Sequence, residues 1–189
     1  MAQYQVAILV GSFRPESINL KLALALSKLG HQHFDPIWVR IDDLPFYNQD
    51  LEAALPPEVV RFRGEIGAAD AVLFVTPEFN RSIPGVLKNA IDWASRPYAK
   101  HVLVGKPGAV IGASLGKLGT VAAQQHLRGT LAPLDVYVMG QPEAYITFTP
   151  GLVDETGSVT DESVRQFLQM YVDRFAAWVG RFAATPVER

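Results

Sequence analysis

Val6-Ala-Ile-Leu-Val10-Gly11-Ser12-Phe13-Arg14-Pro15-Glu16-Ser17-Ile18-Asn19 decides the fold of this chain. Five apolar residues end at a glycine, a polar loop follows, and a helical pattern then runs from Leu20 to Leu29. That order is a strand, a loop and a helix N-terminus. The loop carries one glycine, the hydroxyls of Ser12 and Ser17, the Asn19 amide and the Arg14 guanidinium. Such a loop suits a phosphate: hydroxyls and backbone N–H groups meet its oxygens, and the positive end of the helix dipole favours its charge. Arg14 adds a charge-assisted bond. An ordinary turn explains Gly11, and a helix cap explains Ser17, without any ligand. Neither explains Ser12, Arg14 and Asn19 together.

The same alternation continues outward from this unit. Strands are expected over 5–10, 36–41, 71–75, 109–113 and 136–139, and helices over 18–29, 57–68, 84–95, 118–131 and 161–182. Ala71-Val-Leu-Phe-Val75 is a continuous apolar run, as in a parallel strand covered on both faces. Ile83, Val86, Leu87, Ala90, Ile91 and Ala94 recur at helical spacing. Pro57 suits a first helical turn, and Thr160 is the expected N-cap of the last helix. Repeated βα units imply an α/β protein with helices on both faces of a parallel sheet. Five strands in 189 residues suit a flavodoxin-like three-layer fold, order 2-1-3-4-5, as one domain over 1–189. That order places a ligand at the carboxyl ends of strands one and three. Residues 140–158, rich in Gly, Pro and Thr, are expected to form a long surface loop.

Composition narrows the function classes. Lys plus Arg number 17 against 19 for Asp plus Glu, a net charge of −2, which gives no reason to expect a nucleic-acid or membrane partner. There is no cysteine, which excludes disulfides, thiol nucleophiles, Fe–S clusters and Cys-ligated zinc. No apolar run approaches the ~18 residues of a membrane helix, and no basic leader precedes the first strand. A soluble cytoplasmic protein is expected.

Two more polar loops follow strands three and four. Thr76-Pro-Glu-Phe-Asn80-Arg-Ser-Ile-Pro84-Gly85 is stiffened by two prolines and is longer than a strand–helix connection needs. It offers a ring, an amide, a hydroxyl and a guanidinium, a mix suited to a flat heterocycle. Gly112-Ala-Ser114-Leu-Gly116-Lys-Leu-Gly119 matches the nucleophile elbow G-x-S-x-G in a strand–turn–helix setting. A hydrolase of that fold needs an acid and then a histidine later in the chain. The only later histidine, His126, precedes the next acid, Asp135, so that order is not met. The glycines are instead expected to let a ligand approach the backbone. His31, His33, His101 and His126 are expected in surface or helix-face roles, Asp42 and Asp43 in a solvated turn, and Trp38, Trp93 and Trp178 in the core or an interface.

Residues 11–19, the block Pro77-Glu-Phe-Asn-Arg-Ser-Ile-Pro-Gly-Val-Leu-Lys-Asn-Ala-Ile-Asp-Trp93 and the loop 114–119 resemble the NADPH-dependent FMN reductases, over residues 5–140. That family includes bacterial quinone and chromate reductases and some azoreductases. The resemblance implies one FMN per subunit and NADPH or NADH as electron donor. It implies Ser12, Arg14, Ser17, Asn19 and Leu20 at the phosphate, and Pro77, Glu78, Phe79 and Asn80 along the isoalloxazine edge, largely through backbone atoms. It places Ser114, Leu115, Gly116 and Gly119 along the ring's other side. It further implies a homodimer or homotetramer with the third helix at the interface. Phe79 stands where many relatives have Tyr, so a phenol hydroxyl is missing; Gly119-Thr120 stands where some have paired glycines.

The expected activity is a two-step exchange. NAD(P)H reduces FMN, which then reduces a quinone, an azo compound, free flavin or an oxyanion such as chromate. The flavin carries the chemistry, so no catalytic side chain and no metal are expected. Arg81 is the candidate for steering an anionic nicotinamide cofactor or acceptor. The competing class is a flavodoxin-type electron carrier or flavin-binding module without turnover; carriers are usually strongly acidic, which −2 is not.

Overall fold

The computed structural model describes residues 3–183, so the ends of the expected 1–189 domain lie outside the described residues. Strands β1 (Tyr4–Val10), β2 (Phe34–Trp38), β3 (Ala71–Val75), β4 (Pro107–Ser114), β5 (Tyr137–Val138) and β6 (Tyr145–Thr147) alternate with helices α1 (Ile18–Leu29), α2 (Pro57–Ala68), α3 (Gly85–Ala94), α4 (Val121–Leu131) and α5 (Glu162–Ala183). The parallel sheet runs β2-β1-β3-β4-β5, the expected order.

Side-chain alternation along β1 divides the core. Val6 and Ile8 face α1 and α5, packing in one cluster with Leu22, Leu26, Leu168 and Phe175. Ala7 and Leu9 face the other way, into a cluster with Phe62, Ile66, Leu87, Ile91 and Leu127 from α2, α3 and α4. All five residues of β3 are buried, as its unbroken apolar run requires. Truncating Phe74, wholly buried at the centre, would cost about 3–5 kcal/mol. The winding reverses between β1 and β3, so the loops leaving their carboxyl ends lie side by side.

The structure departs from the expected elements in four places. β2 spans Phe34–Trp38, not 36–41: it pairs with β1 from Tyr4↔Phe34 to Ile8↔Trp38. Val39 and Ile41 are buried beyond the ladder, so their apolar signal reported burial rather than strand. α4 begins at Val121, because Gly119 N–H bonds Gly116 O in a turn that keeps Lys117 and Leu118 out of the helix. Asp161, not Thr160, caps α5: its Oδ1 accepts the N–H groups of Ser163 and Val164, while Thr160 donates to Gly151 O. Finally, 140–158 is no surface loop. It contains β6, which extends the sheet beside Gly112–Ser114, and it buries Ala144, Ile146, Phe148, Leu152 and Val153.

Candidate active site

The first loop is built to leave donors free. Ser17 takes the extended conformation of a cap, and its Oγ accepts the Leu20 N–H at 3.2 Å. Its O–H remains available to donate. Among the described residues, no protein acceptor meets the backbone N–H groups of Ser12, Phe13, Arg14, Ile18 or Asn19. Arg14 is exposed and makes no ion pair within the described residues, whereas the nearby Glu16 is held 2.7 Å from Lys21. The Lys21 ammonium keeps the Glu16 carboxyl below its usual range, first through their hydrogen bond and then through charge. These free amides at the positive end of α1, with two hydroxyls and an unpaired guanidinium, form an anion cradle.

The Asn19 side chain belongs to the cradle's foundation rather than its lining. It is buried, its Nδ2 donates to Ala113 O at 3.0 Å, and its Oδ1 accepts the Ala113 N–H at 2.9 Å. The β3–β4 ladder ends at Val75↔Ile111, so the Asn19 amide replaces the missing strand beside Ala113. It pins the start of α1 to the end of β4.

The second loop is a tight hairpin. Phe79 and Ser82 exchange backbone hydrogen bonds of 3.0 and 2.9 Å, and Asn80 and Arg81 both have positive φ, as a type I′ turn demands. Asn tolerates that conformation; Arg81 is strained in it. The hairpin docks on α4 at two points. Glu78 Oε2 accepts the Ala123 N–H at 3.1 Å, placing a carboxylate on the helix's positive end. Ser82 Oγ lies 2.6 Å from His126 Nδ1. The Glu78 carboxylate is therefore engaged within the protein. Arg81 reaches back to Glu78 at 3.5 Å with its side chain 76% exposed. The His126 contact was not legible in the sequence, because 44 residues separate it from Ser82.

The third loop folds around one carbonyl. Gly116 O accepts from Ser114 Oγ and from Gly119 N–H, both at 3.1 Å. The glycines serve packing more than ligand approach. A Cβ on Gly112 would overlap Thr76 O, and one on Gly119, where φ is +57°, would lie 2.7 Å from the Tyr145 carbonyl carbon. At Gly116 a Cβ would meet nothing nearer than Ser114 Oγ at 3.8 Å, whereas the close approaches at Gly112 and Gly119 are made by the protein itself. Ser114 is no hydrolase nucleophile: its hydroxyl turns to Gly116, and His126 meets Ser82 instead.

The loop roots touch. Gly11 N–H donates to Val75 O at 2.9 Å, and a Cβ on Gly11 would lie 3.2 Å from Pro77 Cδ. Thr76 N–H donates to Ile111 O at 3.0 Å. Exposed Phe13, Phe79, Leu115 and Leu118 project from these loops and give this end of the sheet an apolar rim. The arrangement joins an anion cradle to a rigid hairpin and a backbone-lined wall. A flat group with a phosphate tail fits it.

Residues 4–151 match the model of the NADPH-dependent FMN reductases. The chain belongs to that family. It is an oxidoreductase that depends on FMN and NAD(P)H. A quinone reductase of Pseudomonas putida is 51% identical over 177 residues, covering 93% of this chain and 95% of that protein. A 2-hydroxy-1,4-benzoquinone reductase of a Burkholderia species is 48% identical over 175 residues, covering 93% and 96%. Among solved structures, the FerB flavoenzyme NAD(P)H:(acceptor) oxidoreductase of Paracoccus denitrificans superposes with a TM-score of 0.92 at 45% identity, covering 95% of this chain and 98% of that one. No helix among the described residues is long and apolar enough to cross a membrane.

Proposed function

We propose that this protein is an NAD(P)H:quinone reductase whose FMN phosphate sits in the cradle at the start of α1. The observation that carries this reading is the set of unpartnered N–H groups beside Arg14 and the Ser12 and Ser17 hydroxyls. Ser12, Arg14 and Ser17 would hold the phosphate directly. Leu20 would act through its backbone N–H, which completes the Ser17 cap, and Asn19 through its side-chain amide, which anchors the helix to β4. Pro77, Glu78, Phe79 and Asn80 would border the ring along the hairpin, and Ser114, Leu115, Gly116 and Gly119 along the third loop.

FMN held there would supply the hydride and electron transfer between the nicotinamide and an acceptor. The residues of this chain fix its orientation. The Glu78 carboxylate and the Ser82–His126 pair keep the hairpin on α4, so the ring's edge meets a preformed wall. The apolar rim of Phe13, Phe79, Leu115 and Leu118 favours aromatic acceptors such as quinones over chromate. Arg81, exposed and near the rim, would steer the anionic nicotinamide cofactor. The same reading has the protein act as a cytoplasmic homodimer or homotetramer. Phe46 and Tyr98, 86% and 83% exposed near α3, are the apolar residues such an interface would cover.

Steady-state NADPH oxidation with a benzoquinone tests the reading. Parallel double-reciprocal lines at varied quinone are expected, because each substrate meets the enzyme in a separate step. FMN uptake without turnover would favour the carrier class.

A further inference from the structure

β6 brings one side chain to the third loop that no sequence motif marks. Thr147, the last residue of β6, is in register with Ser114 at the end of β4. Paired residues of neighbouring strands project from the same face, so both hydroxyls reach the same carbonyl. Thr147 Oγ1 lies 3.4 Å from Gly116 O, which already accepts from Ser114 Oγ and Gly119 N–H at 3.1 Å. A carbonyl oxygen has two lone pairs, and a good O–H···O bond is shorter than ~3.0 Å. The Thr147 hydroxyl is thus the third and longest donor on a satisfied acceptor. It is exposed, and it rotates freely about its C–O bond.

We propose that Thr147 is a further flavin-contacting residue. With FMN loaded, its hydroxyl would leave Gly116 O and donate to the polar edge of the flavin. This rests on the FMN site described above. A donor at that edge stabilises the electron density added on reduction more than it stabilises the oxidised ring. The strand holds Thr147 in place without its hydroxyl. Gln124 Nε2 donates to Ala144 O at 2.8 Å, Phe148 N–H donates to Ser114 O at 2.8 Å, and Gly119 packs on Tyr145. Removing the hydroxyl therefore leaves β6 intact.

The test compares the parent protein with Thr147→Val and Thr147→Ser. FMN dissociation constants come from flavin fluorescence, and two-electron midpoint potentials from equilibration with a reference dye. Thr147→Val is expected to bind reduced FMN about tenfold less well relative to oxidised FMN, a potential about 30 mV lower. Thr147→Ser should match the parent, and unfolding of the flavin-free proteins should not differ. Equal potentials in flavin-loaded parent and Thr147→Val would overturn the assignment while leaving the FMN site standing. So would a Thr147→Ser potential as low as that of Thr147→Val. A parent that takes up no FMN would overturn both.

Discussion

Asn19→Leu removes both hydrogen bonds that tie α1 to β4 while keeping a side chain of similar size. The Asn19 amide and the Ala113 N–H and C=O lie where water does not reach, since Asn19 and Ala113 are each only 1% exposed. The substitution strands two buried backbone groups, and each such loss costs about 1–3 kcal/mol. Taking the lower half of that range for each gives about 3 kcal/mol in total. In a domain of this size 1 kcal/mol moves the midpoint about 2–4 °C, so the expected fall in Tm is about 6–12 °C. The assay is thermal unfolding of flavin-free protein followed by circular dichroism, so that cofactor binding adds nothing to the parent. Asn19→Asp keeps the acceptor for Ala113 N–H but sets a carboxylate against Ala113 O, so it should recover no stability at neutral pH. FMN affinity should fall in both variants, as a consequence of the displaced helix. A Tm within about 2 °C of the parent, together with weakened FMN binding, would refute the reasoning and make Asn19 a direct ligand.

Arg14→Ala should act in the opposite manner: loss of a charge-assisted bond of about 1.5–3 kcal/mol raises the FMN dissociation constant about 10- to 150-fold, with flavin-free Tm unchanged in calorimetry. Gly119→Ala combines a left-handed backbone with a Cβ 2.7 Å from the Tyr145 carbonyl carbon. It should lower Tm and FMN affinity together, and a variant with parental values of both would show that the third loop adapts freely. Asp161 titrates below its usual range because the Ser163 hydroxyl, and then the Val164 N–H, bond its carboxylate. A depressed folded-state value adds stability above the unfolded carboxyl pKa and loses it as pH falls through the folded one. Asp161→Asn keeps an acceptor for the cap but cannot titrate, so its Tm should fall less steeply than the parent's below about pH 4; identical acid profiles would contradict this.

The strand order and the three loops were legible because local signals agreed with the global fold. The unbroken run Ala71–Val75, the amphipathic pattern at 83–94 and the Gly11–Asn19 loop each follow from local periodicity and turn chemistry. What escaped depends on contacts between distant segments. β6 is only three residues long and is defined by pairing with Gly112–Ser114, so the Gly, Pro and Thr around it suggested a loop. Asn19 stands where a ligand contact is expected, yet Ala113, 94 residues away, takes its amide. The glycines at 112 and 119 carry the right signal for close approach, but the approaching atoms belong to Thr76, Thr120 and Tyr145. Glu78 lies on the second loop, but the partner of its carboxylate, the Ala123 N–H, emerges only when α4 packs against the hairpin.

Anaerobic titration of the FMN-loaded protein, followed by visible absorbance, tests the central claim most directly. One equivalent of NADPH should bleach the oxidised-flavin band, and one equivalent of a benzoquinone added afterwards should restore it. A band that NADPH leaves unchanged, or a bleached band that the quinone does not restore, would contradict the account.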